Sequence, residues 1–263
     1  MCKKPLPETA RLMSKPHTKI LIASLGTRGD VQPYAALARQ LTDLGADVVI
    51  STSEGFDAMI EAAGATARPL PIDYHSLLQR EDIREALFSV KGKIKAAREN
   101  IDLQRKVARR LWEIGLAEAP NLILFNLKAT VVTLVARRLK VPALPTCLQP
   151  VTAPTAEFAI PLFGIPSFGA TFNRLSYSGL RWLMRAGLKP ILKPLRAEAA
   201  DVYGSPGELI DGHAPSGGLP LTLQSFSRAL VPTPSDWPEH VWQCGYWFTE
   251  PDPAYEPQAS LAR

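Results

Sequence analysis

The chain has 263 residues, a formal net charge of +5 at pH 7 and hydrophobic residues at 46% of its positions. These values fit one large or two small globular domains and exclude wholesale disorder, and the mixing of basic with acidic residues argues against a nucleic-acid partner. Three widely spaced cysteines, Cys2, Cys147 and Cys244, predict neither a metal site nor a disulfide framework and favour a cytoplasmic location.

Residues 1–18 carry prolines and scattered charge without an apolar signal region, so we predict a disordered lead-in. Strands and helices then alternate. The predicted strands are 19–24, 47–52, 66–71, 121–127, 141–148, 219–223 and 241–248, and the predicted helices are 33–44, 56–63, 81–118, 129–139 and 173–200. This alternation predicts an α/β fold with a Rossmann-like, doubly wound parallel sheet. We expect strands 19–24, 47–52, 121–127 and 141–148 to be neighbours or one strand apart.

The turn between the first strand and the first helix, residues 25–34, is the most informative segment, and it reads Leu-Gly-Thr-Arg-Gly-Asp-Val-Gln-Pro-Tyr. Where a strand leads into a helix, backbone N–H groups are unpaired and the helix dipole favours negative charge. Ligands of such sheets bind at the carboxyl ends of the strands. We therefore predict that this turn faces a substrate and that Asp30 is a candidate catalytic carboxylate.

Two other interpretations apply to the same turn. A dinucleotide site uses G-x-G-x-x-G, whereas this turn has only Gly26 and Gly29, with the bulky Arg28 between them. On those two glycines, an NAD(P)-dependent oxidoreductase remains an alternative. Asp30 can instead act only as a helix cap, with Pro33 in the first helical turn. The cap and the catalytic role are compatible, because a cap fixes where its carboxylate points.

Residues 149–169 combine four prolines with three phenylalanines, and we interpret them as a binding loop that lines an apolar pocket. The candidate contacts in this loop are Pro150, Phe158, Phe163 and Phe168. Residues 173–200 are helix-prone and basic, which is typical of a core-packed helix with a basic outer face or of a helix on an anionic membrane surface. The four histidines are isolated, and no nucleophile elbow or P-loop occurs, so Asp30 is the best candidate base.

The turn resembles the start of the sterol- and lipid-type glycosyltransferases, whose GT-B architecture has two facing Rossmann-like domains. The family pattern is Gly-Ser/Thr-Arg-Gly-Asp-Val-Gln-Pro-Tyr and a helix that ends in Leu-Gly-x-x-Val, here residues 26–34 and 44–48. Residues 173–177, 235–238 and 245–248 are also similar to the pattern. The resemblance, to a family 28-like N-terminal domain, therefore covers nearly the whole chain from the first strand onward.

The resemblance implies an inverting hexosyltransferase that acts on a lipid, sterol or aglycone hydroxyl. In that family the aspartate that matches Asp30 is proposed as the base that deprotonates the acceptor, and the N-terminal domain binds the acceptor. In the turn, the candidate acceptor contacts are Gly26, Thr27, Arg28, Gly29 and Gln32. No cofactor is implied; a nucleotide-sugar such as a UDP-sugar is the co-substrate.

In the family, a second domain with a His-x-Gly-Gly-type loop binds the donor, and this sequence has no such loop. We therefore expect residues 19–248 to form an acceptor-binding domain and residues 249–263 an interdomain linker, with the donor-binding domain absent or on a partner chain. Alone, the chain is expected to be inactive, and peripheral membrane contact is expected. A non-catalytic module that kept the acceptor cleft is a further alternative.

Overall fold

A computed structural model describes residues 18–79 and 100–249, apart from the side chains of Leu78 and Phe163. The strands are β1 (Lys19–Ser24), β2 (Asp47–Ser53), β3 (Thr66–Leu70), β4 (Leu122–Phe125), β5 (Ala143–Cys147), β6 (Thr222–Gln224) and β7 (Val241–Gln243). The helices are α1 (Arg28–Asp43), α2 (Asp57–Ala62), α3 (Tyr74–Gln79), α4 (Ile101–Glu118), α5 (Val132–Leu139), α6 (Ala170–Leu192) and α7 (Pro206–Ile210). Short 3-10 helices cover Leu127–Ala129, Pro161–Phe163 and Lys193–Leu195.

The seven strands form one parallel sheet in the order β3-β2-β1-β4-β5-β6-β7. The predicted α/β, Rossmann-like sheet is confirmed, and so is the predicted adjacency of β2, β1, β4 and β5. From β1 the chain moves outward to β3 on one side, and from β4 it moves outward to β7 on the other. The strand order therefore reverses between β1 and β4, and in open α/β sheets the crevice at such a reversal binds ligands.

The core lies on both faces of the sheet because the central strands are apolar on both faces. In β1, Leu21 and Ala23 belong to the core cluster beneath α4 and α5, whereas Ile20 and Ile22 belong to the cluster beneath α1 and α2. Successive strand residues point to opposite faces, so one apolar run supplies both cores. Each buried leucine or isoleucine among them contributes roughly 1.5–3 kcal/mol through burial. The buried pair β1 and β4 thus supports the loops at its carboxyl ends.

Helix α1 begins earlier than predicted, at Arg28 instead of residue 33. Thr27 occupies the N-cap position, so the helix can begin directly after the strand. Consequently Asp30 lies in the first turn of α1 and Pro33 lies in the second turn. The prediction that Pro33 is a first-turn residue was wrong. A proline there leaves the carbonyl of Gly29 without its helical N–H partner, and Gly29 is exposed, which keeps that carbonyl open to solvent.

Other boundaries differ as well. The predicted helix 173–200 is α6, which begins at Ala170 and ends at Leu192, and the predicted strands 121–127 and 141–148 are shorter at both ends. The predicted helix 129–139 begins with the 3-10 turn Leu127–Ala129, and the predicted final strand 241–248 ends at Gln243. Gly245 has a φ of +80°, which is incompatible with a continuing strand. The predicted strand 219–223 is shifted to Thr222–Gln224.

Several predictions lie wholly or mainly outside the described residues, namely the lead-in 1–18, the first half of helix 81–118 and residues 250–263 of the predicted linker. Within the described part of the chain, no helix combines the length and the apolar character that a membrane span requires.

Candidate active site at the carboxyl ends of β1 and β4

Asp30 is held in a defined orientation by two donors. Its Oδ2 accepts the backbone N–H of Thr27 at 3.1 Å, in a capping-box arrangement, and the Nζ of Lys128 at 3.0 Å. Among the described residues these are the only donors to the carboxylate, and 30% of the side chain is exposed. Oδ1 is therefore left open, so the predicted capping role does not occupy the whole carboxylate.

Gly26 creates the space in which this carboxylate folds back over the turn. Its φ is +149°, which side chains rarely tolerate, and a Cβ at this position would overlap the Asp30 carboxylate. The Oγ of Ser53, at the end of β2, donates to the Gly26 carbonyl at 2.9 Å. The close approach of the carboxylate therefore requires glycine at this position.

Asn126, the residue after β4, ties that strand to the turn after β1. Its Oδ1 accepts the N–H of Leu25 at 3.3 Å, and its Nδ2 donates to the Leu25 carbonyl at 2.9 Å and to Ser24 Oγ at 3.0 Å. Ser24 Oγ in turn donates to the Asp30 carbonyl at 2.7 Å. The buried polar groups of the turn are thus paired with one another, which fixes the position of the first turn of α1.

Asp30 and Lys128 come from the two strands that flank the reversal of strand order. Asp30 follows β1, Lys128 follows β4, and the two strands pair directly. Sequence reasoning missed Lys128 and Asn126 as site residues. The available signal was Lys128 itself, a charge that interrupts the apolar run 121–139 just after a predicted strand.

Two tyrosines near Asp30 remain neutral phenols at physiological pH. Burial, with a smaller contribution from the Asp30 charge, raises the pKa of Tyr74 to about 12, and the ring of Tyr74 lies 5.8 Å from Lys128 Nζ. Burial also raises the pKa of Tyr34 far above its usual value, and the Tyr34 hydroxyl lies 2.8 Å from Thr146 Oγ1. Neither phenol is therefore ionised to act as a base.

A cavity of about 280 Å³ lies between the loop after β5, helix α6 and helix α7. Its apolar lining includes Leu127, Val151, Pro154, Leu180 and Met184. Its polar lining includes Arg181 and Asp211, which form a two-point ion pair. Leu127 is the residue before Lys128, so the cavity wall and the Asp30 partner lie on the same short 3-10 helix.

The predicted contacts of the turn lie close to Asp30 along the chain. Thr27, the N-cap of α1, is exposed, and so are Arg28 and Gly29 in the first turn of the helix. Arg28 Nε donates to Gln32 Oε1 at 2.9 Å, and Gln32 Nε2 donates to Thr249 Oγ1 at 3.2 Å. Thr249, the last described residue, therefore contacts α1, the helix that carries Asp30.

The predicted contacts of the proline-rich loop are distributed differently. Pro150 is buried three residues after the end of β5. Phe158 packs against a small cluster of Ile160, Tyr177 and Leu180, behind the cavity wall. Phe168 is exposed and contacts Phe172 edge-on. The side chain of Phe163 lies outside the described residues. The cavity is lined by the loop residues between Pro150 and Phe158.

No group of three His, Cys, Asp or Glu side chains that could hold a metal ion occurs in residues 18–79 and 100–249. Asp73 instead caps α3, because its Oδ1 accepts the N–H of His75 at 2.8 Å and of Ser76 at 3.1 Å. Hydrogen bonds from Ser76 lower the pKa of this exposed carboxyl.

Two glycosyltransferases are similar to most of this chain. The Arabidopsis thaliana sterol 3-beta-glucosyltransferase UGT80B1 is 31% identical over 272 residues, which cover 97% of this chain and 42% of the relative. The O-mycaminosyltylonolide 6-deoxyallosyltransferase of Streptomyces fradiae is 27% identical, over 92% of this chain and 57% of its own. The chain thus spans about two fifths of the length of its plant relative.

A solved structure shows the same fold. The calicheamicin glycosyltransferase CalG4 superposes with a TM-score of 0.61 at 17% identity, over 92% of this chain and 55% of that protein. These matches give no support to the oxidoreductase alternative. Residues 20–156, half of the chain, match the glycosyltransferase family 28 N-terminal domain. The chain therefore belongs to glycosyltransferase family 28, and it corresponds to the N-terminal domain of that family.

Proposed function

We propose that this chain is the acceptor-binding domain of an inverting hexosyltransferase that moves a sugar from a nucleotide-sugar to the hydroxyl of a lipid, sterol or aglycone. The observation that carries the proposal is the Asp30 carboxylate, with one oxygen held by two donors and the other open at the reversal of strand order. The names of the relatives, which include several sterol 3-beta-glucosyltransferases, support the acceptor class.

In the proposed reaction, Oδ1 of Asp30 accepts the proton of the acceptor hydroxyl while that oxygen bonds to the anomeric carbon of the sugar. The bond from the anomeric carbon to the diphosphate breaks, and the nucleoside diphosphate leaves with the electron pair. An alcohol is a poor nucleophile, so a positioned base accelerates this step, typically by 10²–10⁴-fold. The N–H of Thr27 and the ammonium of Lys128 keep Oδ2 in place, which directs Oδ1 towards the acceptor.

The apolar body of the acceptor would occupy the cavity beside Leu127. A volume of about 280 Å³ lies near the lower end of the range for ligand pockets, so this domain would enclose the acceptor only in part. Gly26, Thr27, Arg28, Gly29 and Gln32 would contact the hydroxyl end, and Pro150, Phe158, Phe163 and Phe168 would support or extend the apolar end.

The nucleotide-sugar would be bound mainly by a second domain, on a longer chain or on a partner chain, and no further cofactor is needed. The hydrogen bond between Gln32 and Thr249 supports this arrangement, because a segment that follows Thr249 would start beside α1 and close to the turn. We propose a cytoplasmic protein in peripheral contact with a membrane, since lipid and sterol acceptors are held there.

Acceptor binding can be tested on this chain without a donor. We expect saturable binding of a fluorescent sterol, and we expect Met184→Trp, which fills the cavity, to weaken it at least about tenfold, the loss of roughly 1.4 kcal/mol. The matched control is Leu230→Trp, at a side chain that is 82% exposed. Equal sterol binding by both variants would place the acceptor elsewhere. A non-catalytic module would also bind sterol, so turnover with a donor-binding half supplied separates the two functions.

A further inference from the structure

A second cavity, of about 390 Å³, opens at the surface between the C-terminal half of α6 and the start of α7. On α6 it is lined by Trp182, Arg185, Ala186 and Lys189, and on the other side by residues 205–207. It shares no lining residue with the cavity beside Leu127. The side chains on α6 combine two cations with an aromatic ring, which is a composition suited to an anionic, amphipathic ligand.

The charges of Arg185 and Lys189 are not balanced by any acidic side chain in the part of the chain that the structure describes. The acidic side chains on neighbouring elements are engaged by other cations, in the pairs Asp211–Arg181, Glu208–Arg137 and Glu198–Arg109. The guanidinium of Arg185 packs on Gly207, where a Cβ would lie 2.6 Å from its Nε. A positive charge is thus held at the wall of an open cavity.

Two large apolar side chains, Leu175 and Trp182, lie on the same exposed face of α6 as Lys189. The three residues are spaced by seven positions, or two helical turns, so they follow one another along that face. Leu175 is 61% exposed and Trp182 is 70% exposed, and the exposed Phe168 precedes the helix. The outer face therefore changes from apolar to basic along its length, with tryptophan at the boundary, as at membrane–water interfaces.

We propose that this cavity binds the phosphate of an anionic phospholipid head group, while Trp182 and Leu175 insert into the membrane interface. The exposed apolar side chains favour a lipid over a soluble phosphate ester, since a soluble ligand would leave them in water. The proposal rests on the peripheral membrane contact of the proposed function and adds the site and the class of lipid. It does not involve Asp30 or a sugar donor.

The test is flotation of the whole chain with phosphatidylcholine vesicles, with and without phosphatidic acid. We expect binding that depends on phosphatidic acid, and we expect Arg185→Gln with Lys189→Gln to weaken the vesicle partition by roughly 30-fold, from the usual contribution of two basic side chains. Trp182→Ala should weaken it as well. Glutamine has nearly the helix propensity of the residues it replaces, so the helix should be retained, which circular dichroism checks.

The matched control is Lys106→Gln with Arg110→Gln, which removes the same charge from an exposed face of α4. The proposal requires this control to bind vesicles nearly as the parent does. Equal losses in the two double variants would mean diffuse electrostatic attraction, and equal binding to neutral vesicles would remove the head-group site. Tight binding of glycerol phosphate without any vesicle partition would assign the cavity to a soluble ligand. None of these results bears on sugar transfer, so they leave the proposed glycosyltransferase function to its own test.

Discussion

Replacing Asn126 with alanine should destabilise the protein strongly, because this one side chain closes the polar network beneath the candidate site. The substitution leaves the N–H and the carbonyl of Leu25 without partners, and Leu25 is buried. Each buried, unsatisfied group costs about 1–3 kcal/mol, so we expect a loss of about 3 kcal/mol in the free energy of unfolding. Domains of this size are stable by about 5–15 kcal/mol, so the variant should still fold.

The matched control is Asn121→Ala, at the opposite end of β4. Asn121 Oδ1 accepts the N–H of Lys19 at 2.8 Å, but at an exposed position where water can replace it, so we expect a loss below about 1 kcal/mol. Urea unfolding of both variants and the parent, analysed with a common m-value, measures the difference. If the two alanine variants lost the same stability, the buried network of Asn126 would not hold the turn as described.

Two further predictions concern the turn after β1 and Asp236, whose carboxylate accepts hydrogen bonds from the loop after β5. Gly26→Ala should destabilise the protein by at least about 1–3 kcal/mol, the usual cost of a strained backbone. Gly29→Ala, whose Cβ would meet no atom within 4 Å, should stabilise α1 by about 0.5–1 kcal/mol. If the melting temperatures of the two glycine variants moved in the same direction, this contrast between Gly26 and Gly29 would be refuted. The pKa of Asp236 is about 2, below its ordinary 3.8, mainly because its carboxylate accepts a hydrogen bond from Thr155. Burial opposes this shift, and the hydrogen bonds from Arg174 and Ala156 add to it. The stabilisation by Asp236 is thus complete above its unfolded-state pKa and is lost as the pH falls towards 2. Asp236→Asn should therefore flatten the curve of unfolding free energy against pH between about pH 4 and pH 2. A curve unchanged by the substitution would contradict this prediction.

The sheet was predictable because its signals are local. A parallel strand buried on both faces is an apolar run, and β1 and β4 both have this form. The start of α1 was placed too late because Pro33 was taken as a first-turn residue, whereas the N-cap at Thr27 begins the helix earlier. Predictions from single residues are therefore weakest at element boundaries, where capping contacts decide the outcome.

The candidate site was only partly predictable, because the contact between Asp30 and Lys128 joins residues that are 98 positions apart in the sequence. The sequence identified Asp30 from its turn, but the pairing with Lys128 requires β1 and β4 to be neighbours. Likewise, the phenylalanines of the proline-rich loop were predicted to line a pocket, and no local pattern distinguishes a lining residue from Phe158, which packs behind the wall.

Turnover by Asp30→Asn tests the proposed role of this carboxylate most directly, in a protein that also carries a donor-binding half on a longer chain or on a partner chain. Asparagine is nearly isosteric and its Oδ1 can still accept the N–H of Thr27, and the lost ion pair with Lys128 is half exposed, so the melting temperature should change little. Acceptor binding should persist, and the rate of sugar transfer should fall by roughly 10²–10⁴-fold. A variant as fast as the parent would show that Asp30 only caps α1 and that the base lies elsewhere.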